Sequence, residues 1–173
     1  MHRRRHPSIR YAPALSVALV LTACASSGHR HVTMPTTRLS NVNTMLVDVS
    51  SDLDDAKKEA IEFEATVAMI ARETLPFQQV LTKRHSPEAS VDVRVEARIV
   101  RLEKVTPASR ALHGILAGRA RVAADVMLID VTTRAVVGRF TVEGQSSFVG
   151  MTEQAIKRAS EQVVAFVAAH VKS

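Results

Sequence analysis

Apolar and charged side chains alternate from residue 91 to residue 99, the clearest pattern in the chain. A period of two is typical of a β-strand with one buried face and one solvated face. The alternation changes phase over residues 100–102, which predicts a bulge or the end of the strand. Residues 118–130 and 136–143 show the same kind of pattern, and the short turn between them indicates a hairpin. The sequence therefore predicts an antiparallel meander of three strands.

An apolar run at residues 44–49 indicates an interior strand. Two segments later in the chain have apolar residues at helical spacing. Ser51 and Asp52 offer capping oxygens to the first helix, which we expect to end before Pro76, and Thr152 offers one to the second. The order of elements predicts an α+β fold, a two-layer sandwich in which a mixed sheet with the three-strand meander packs against two helices. The predicted buried stripes are Ala56, Ala60, Phe63, Val67 and Ile70 in the first helix, and Ile156, Ala159, Val163, Phe166 and His170 in the second.

The N-terminus has the three zones of an export signal. Arg3, Arg4, Arg5 and Arg10 precede the apolar run, and no acidic residue lies among them. Residues 12–23 form this mostly apolar run, which ends at Cys24, the only cysteine. A membrane-spanning helix needs roughly 20 apolar residues, so a run of about a dozen fits a removable signal better than a permanent span.

The tetrapeptide Leu21-Thr22-Ala23-Cys24 resembles the lipobox of bacterial lipoproteins. The resemblance implies that residues 1–23 are a signal peptide, that the Cys24 thiol carries a diacylglycerol, and that its amine is often acylated as well. The alternative is a small buried cysteine. Ala25 and Ser26 follow the cysteine without an aspartate, which resembles outer-membrane sorting in Gram-negative cells and implies an anchor facing the periplasm.

Removal of the signal leaves 150 of the 173 residues, with 19 Lys and Arg against 17 Asp and Glu and no Trp or Tyr. This weak positive charge and the lack of stacking side chains argue against nucleic-acid binding. The remaining length suits one domain without a disulfide framework. Residues 24–43 are polar and predict a flexible tether, followed by a single α+β domain at residues 44–173.

The sequence contains none of the following common catalytic motifs. It has no nucleophile elbow, phosphate loop or dinucleotide fingerprint, and its histidines do not have the spacing of metal ligands. We therefore expect a protein that is not an enzyme and needs no cofactor or metal. The alternative is a periplasmic ligand-binding or hydrolytic domain whose site forms from scattered residues: His85, His113, Ser109 and Asp130.

One loop is unusually apolar. Leu112, Ile115 and Leu116 lie between two predicted strands, and Phe148 lies in a later loop. Such a loop either covers the core or forms a contact surface for another envelope protein, a second copy of the chain or the membrane.

Charge is also unevenly distributed, with seven acidic and two basic residues in 48–64 and the reverse in 94–121. This indicates either ordinary solvated faces or a basic sheet surface that meets anionic headgroups or an acidic partner.

Residues 114–144 resemble an uncharacterised domain-of-unknown-function family of bacterial envelope lipoproteins. The shared marks are Gly114 and Gly118, a strand that ends in Leu128-Ile129-Asp130, a brief turn and a second strand. Arg134 stands where the family usually has a glycine. A more distant, fold-level likeness is to the periplasmic domain of the curli-secretion channel lipoprotein. From Cys24, the missing catalytic motifs and the apolar loop, we expect a non-enzymatic lipid-anchored envelope protein that binds other envelope components in assembly or secretion.

Overall fold

The computed structural model describes residues 31–32, 39–87, 89–148 and 150–171. One mixed sheet of six strands lies against two long helices, in the spatial order β1-β6-β5-β4-β2-β3. The strands are β1 (His31–Val32), β2 (Thr44–Ser51), β3 (Gln79–Thr82), β4 (Val93–Glu103), β5 (Arg121–Asp130) and β6 (Ala135–Gln145), and the helices are α1 (Lys57–Thr74), α2 (Pro107–His113) and α3 (Thr152–His170).

Strand direction divides the sheet into two parts. β2 runs parallel to both β3 and β4, whereas β4, β5 and β6 form an antiparallel meander and β1 adds to its outer edge. The α+β fold, the mixed sheet and the meander are confirmed. Within the described residues, no helix is both long enough and apolar enough to cross a bilayer.

The core lies between the sheet and the two long helices, α1 and α3. Alternate residues of β2, β4 and β5 point to the helices and are buried, and the predicted helix stripes meet them. Phe63 of α1 and Ile156 of α3 are fully buried, while Ile70 and Phe166 at the ends of the stripes are partly buried. The main sheet residues of this core are Met45, Val47, Val93, Val95, Ile99, Val122, Val126 and Leu128.

The β4–β5 ladder shifts register between Ile99 and Arg101, as the change of phase predicted. The hairpin turn after β5 is stabilised by Asp130, whose Oδ1 accepts a hydrogen bond of 3.2 Å from the Thr133 amide. Arg134 in this turn has a φ of 59°, a left-handed conformation that favours glycine. Arg134 thus occupies a position that a glycine would adopt without strain.

Helix α3 packs unusually close to β6 at Gly144. A Cβ there would overlap the carbonyl oxygen of Ala155 and lie 2.8 Å from the amide nitrogen of Ala159. Both alanines are fully buried. The helix backbone thus rests directly on the strand backbone, and only a glycine fits between them.

Ordered structure extends into the segment predicted as a tether, and for the described part of residues 24–43 that prediction is wrong. His31 pairs with Phe140 of β6, and Leu39 is buried, with its amide donating to the His170 carbonyl at 2.8 Å. These contacts pair the backbone and bury the Leu39 side chain, and the polar composition of the segment does not reveal them.

Two details of helix initiation also differ. Thr152 does not cap α3, because its hydroxyl accepts a 3.2 Å hydrogen bond from the Val105 amide, and the residue before the helix is Met151. A short 3₁₀ helix, Asp54–Ala56, precedes α1, and Ser51 Oγ accepts from the Leu53 amide instead of capping α1 itself. Thr152 and Ser51 therefore accept hydrogen bonds from residues outside the helices that they were predicted to cap.

Candidate interaction surface

The segment after β4, predicted as a loop, forms the short helix α2. The Thr106 hydroxyl accepts a 3.1 Å hydrogen bond from the Ser109 amide, and the Ser109 hydroxyl accepts one of 3.0 Å from the Thr106 amide. Pro107 occupies the first turn, where its missing N–H costs nothing. This reciprocal cap starts the helix, and Gly114, with a φ of 54°, ends it.

Arg110 of α2 holds two loops together. Its guanidinium donates from Nη1 to the Gly114 carbonyl at 3.0 Å, and from Nη2 to the carbonyls of Gly118 at 3.2 Å and Gly150 at 2.8 Å. Gly150 lies in the loop between β6 and α3, forty residues away in the chain. The two apolar loops of the sequence therefore meet at one end of the domain.

Large apolar side chains are exposed at this end. Leu112 is 80 % exposed, Leu116 is 87 % and Phe148 is 56 %, and Met151 is exposed as well. The guanidinium carbon of Arg119 lies 3.6 Å from the centre of the Phe148 ring. The alternative that this loop covers the core is wrong for Leu112 and Leu116, because both side chains point into solvent. We call this set the end surface: Leu112, Leu116, Arg119, Phe148 and Met151.

Ile115 was predicted to belong to the same surface. Its backbone lies in the 3₁₀ helix Gly114–Ala117, but its side chain falls outside the described residues. Cys24, the predicted lipid site, also lies outside them.

The face of the sheet opposite the helices carries a shallow depression of 710 Å³ lined mainly by polar residues. Its charges are largely paired, with 2.6 Å between Lys83 Nζ and Asp48 Oδ2. Beside it, Arg98 Nη1 lies 3.3 Å from Asp52 Oδ2. Of the two alternatives for the uneven charge, this arrangement fits ordinary solvated faces, because Asp52 and Glu59 of the acidic segment pair with Arg98 and Lys104 of the basic one.

The scattered residues of the alternative enzyme or ligand site do not come together. Ser109 and His113 lie in α2 beyond the end of β4, whereas Asp130 pairs with Val93 at the start of β4. A strand of this length spans about 33 Å, so these groups occupy opposite ends of the sheet. His85 contacts Thr82 at the β3 edge, with 2.8 Å between Nδ1 and Oγ1. In the parts of the chain that are described, no three His, Cys, Asp or Glu side chains are placed to hold a metal ion.

Comparison with known proteins identifies the fold. No protein-family model matches the sequence, and no curated protein matches it significantly. Among solved structures, the chain is similar to PelC from Paraburkholderia phytofirmans, a dodecamer, with a TM-score of 0.59 and 12 % identity over 84 % of this chain and 98 % of that chain. The fold is shared with PelC.

Two other structures have related folds. A DUF330 protein of Xanthomonas campestris has a TM-score of 0.50 and 14 % identity over 78 % of this chain and 88 % of that chain. A hypothetical protein of Chlamydia trachomatis has a TM-score of 0.50 and 11 % identity, with 74 % and 97 % coverage. At these identities the likeness shows the fold alone. It agrees with the predicted domain-of-unknown-function resemblance at that level, and the curli-channel likeness and the lipobox stay predictions.

Proposed function

We propose that the chain is a non-enzymatic protein of the bacterial envelope, anchored by lipid on Cys24 in the outer membrane and facing the periplasm. Its domain binds other envelope components through the end surface, in assembly or secretion. The observation that carries the proposal is the group of exposed apolar side chains held at one end of the fold by Arg110. The signal-like residues 1–24 supply the reason to expect an envelope location.

Exposure of a single leucine is ordinary in soluble proteins, but several large apolar side chains at one end are not. Leu112 and Leu116 lie on short helices whose backbone groups are fixed by the reciprocal cap and by Arg110. The surface is therefore presented by ordered structure, and a partner that covers it gains the free energy of burying both leucines, about 1.5–3 kcal/mol each at full burial.

Self-association is one form that this binding takes. PelC, whose fold the chain shares, was solved as a dodecamer, which supports copies of this chain as a partner class. Cross-linking of the full chain in membranes, followed by mass measurement, distinguishes copies from other proteins. Leu112→Ala and Leu116→Ala are expected to weaken the cross-linked species, with Ile61→Ala and Met69→Ala on the exposed side of α1 as matched controls. An unchanged cross-linking pattern in the leucine variants would contradict the role of the end surface.

The anchor has a separate test. Cys24→Ser is expected to abolish labelling with radioactive palmitate and retention in the membrane fraction, because the thiol is the group that carries the lipid. Ser27→Ala, three residues further on, serves as the control and should label normally. Membrane retention that is unchanged in Cys24→Ser would overturn the lipid anchor.

A further inference from the structure

We propose that side chains of the two long helices close both edges of the sheet against strand pairing with a second copy of the chain. The groups that do this are Arg158 and Gln162 of α3, at the outer edge of β6, and Arg72 of α1, at the outer edge of β3. The proposal rests neither on the lipid anchor nor on the end surface. It limits how copies of the chain can meet, because their sheets cannot join edge to edge.

The outer edge of β6 is mostly uncovered by other strands. In the described part of the chain, β1 pairs with only two of the 11 residues of β6, so residues 141–145 extend beyond that pairing. Hydrogen-bonding groups of successive residues point alternately to the two sides of a strand. The Ser146 amide donates to the Ala120 carbonyl on the β5 side, so the backbone groups of Glu143 and Gln145 face outward. Free N–H and C=O groups at such an edge are a template for another strand.

Helix α3 fills this edge with two polar side chains. Gln162 binds the backbone of Glu143 as a neighbouring strand would, because its Nε2 donates to the carbonyl oxygen at 2.8 Å and its Oε1 accepts from the amide at 3.4 Å. Arg158 Nη1 donates to the Gln145 carbonyl at 2.7 Å. Three backbone groups that a second strand would bind are therefore already engaged.

Helix α1 treats the other edge of the sheet in the same way. Gln79 and Lys83 donate their amides on the β2 side of β3, so the carbonyl of Val80 faces outward. Arg72 donates to this carbonyl from Nε at 3.1 Å and from Nη2 at 2.9 Å. The other outward carbonyl of β3, that of Thr82, accepts hydrogen bonds from the turn that follows the strand. Both outward carbonyls of β3 are thus engaged within the domain.

Hydrogen bonding alone does not require these side chains. Backbone groups at an exposed edge bond nearly as well to water, whereas fixing a glutamine or an arginine costs side-chain entropy. The side chains add exclusion, since an incoming strand has to displace them. A second copy presents the same edge, and two β6 edges would form a symmetric antiparallel pair. Such a pair would bring Glu143 close to its counterpart, and like charges across a strand pair are unfavourable.

The test uses the full chain in detergent micelles. Arg158→Ala and Gln162→Ala together open the β6 edge, and Glu143→Cys places a thiol at its middle. Residues directly opposite in an antiparallel pair have Cβ atoms about 5 Å apart, so a short bismaleimide links the two thiols. Mass mapping of the linked peptides selects links between two copies of residue 143, which separates them from links at Cys24. Far-ultraviolet circular dichroism confirms that each variant folds.

In Glu143→Cys alone, with the edge closed, we expect little linked dimer. Opening the edge should raise its yield about tenfold, because each backbone hydrogen bond gained between copies favours the dimer by a few-fold and several form together. The matched control adds Lys157→Ala to Glu143→Cys, which removes one positive charge from an exposed position of α3 and should leave the yield unchanged. Adding Arg72→Ala to the opened chain also opens the β3 edge, so light scattering should detect assemblies larger than a dimer.

Amide exchange gives a second measurement that keeps Glu143. In Arg158→Ala with Gln162→Ala, exchange at residues 141–145 should slow as the protein concentration rises, because the strands of two copies protect each other. Exchange that is slow at every concentration, without links at residue 143, would identify the chain's own residues before His31 as the strand that pairs here, and would overturn the proposal.

Other results also decide against the proposal. An equal yield of linked dimer with the edge open and closed would overturn the role of Arg158 and Gln162, and particles no larger than a dimer after Arg72→Ala would overturn closure of the β3 edge. Leu112→Ala in the opened chain should leave the link at residue 143 unchanged. Loss of the link in that variant would show that copies meet through the end surface instead. Failure of edge closure leaves the end surface itself untouched, because the Leu112 and Leu116 variants test that surface with the edge closed.

Discussion

Replacement of Gly144 by alanine tests the close contact between α3 and β6. The new Cβ would overlap the Ala155 carbonyl oxygen and approach the Ala159 nitrogen to 2.8 Å, and both atoms belong to the backbone of a buried helix face. Carbon atoms pack against other heavy atoms at about 3.5–4.0 Å, so α3 has to move away from the sheet by more than about 1 Å. That movement separates Ile156 and Val163 from the strands that they cover.

Insertion of one methyl group into a packed core costs about 1–3 kcal/mol, and more where the obstacle cannot turn away. We expect Gly144→Ala to lower the free energy of unfolding by about 3 kcal/mol, because helix backbone cannot rotate aside as a side chain does. For a domain of this size the melting temperature should fall by about 6–12 °C.

Gly138→Ala on the same strand is the matched control. Its Cβ would meet the outer end of the Phe166 ring, a partly buried side chain stacked on Phe140, so a side chain has to shift and not helix backbone. The lower conformational entropy of alanine in the unfolded chain offsets part of this strain, so we expect a loss of about 1 kcal/mol or less. Thermal unfolding of both variants, followed by circular dichroism at 222 nm, measures the difference. A loss for Gly144→Ala no larger than that for Gly138→Ala would refute the reasoning.

Three further predictions concern single groups. Arg134→Gly should raise the free energy of unfolding by about 0.5–1 kcal/mol in a denaturant titration, because it removes left-handed strain at a φ of 59°; a decrease would contradict this. Burial raises the pKa of Glu62, and the charge of Glu153 raises it further. The protonated Glu62 therefore stabilises the fold at low pH, and this contribution is lost as pH rises through the raised pKa. Glu62→Gln should stabilise the protein by roughly 0.5 kcal/mol at pH 7 and give no gain below about pH 4. The backbone amides of Asn43 and Thr44 lower the pKa of Asp92, which stabilises the fold above about pH 4 and ceases to do so as pH falls through the lowered pKa. Asp92→Asn should cost about 1 kcal/mol at pH 7 and flatten the pH dependence of melting in acid, and an unaltered acid profile would argue against the carboxylate.

Local patterns predicted much of the fold. The period of two gave β4 and the β5–β6 hairpin, and the change of phase predicted the irregularity between Ile99 and Arg101. The helical stripe starting at Ala56 predicted α1 to its last turn. The parallel pairing of β2 with β4 was not predicted, because it joins segments about fifty residues apart and no local pattern records such a partner.

The short helix α2 was missed although its start is visible in the sequence. Thr106-Pro107 offers a capping oxygen followed by a proline, and Ser109 occupies the position that a glutamate or glutamine usually has in a capping box. The glycines and the apolar residues of this segment led us to predict a loop instead.

The sequence predicted several residues of the candidate surface, but not whether they are exposed. Leu112, Leu116 and Phe148 were identified because they are apolar residues between predicted elements, but whether they are buried depends on what packs over them. For the same reason, the sequence left open whether the basic segment forms a charged surface. Arg98 pairs with Asp52, forty-six residues earlier in the chain, and the charge of each segment taken separately does not reveal that pair.

Arg110 gives the end surface a property that its exposed residues do not provide themselves. One guanidinium joins the carbonyls of Gly114, Gly118 and Gly150, so α2 and the loop before α3 behave as a single piece. A loop that is ordered only on binding loses about 1–2 kcal/mol per residue in backbone entropy at that moment. Here much of that ordering is complete before any partner arrives, so preorganisation leaves more of the burial energy of Leu112 and Leu116 for affinity.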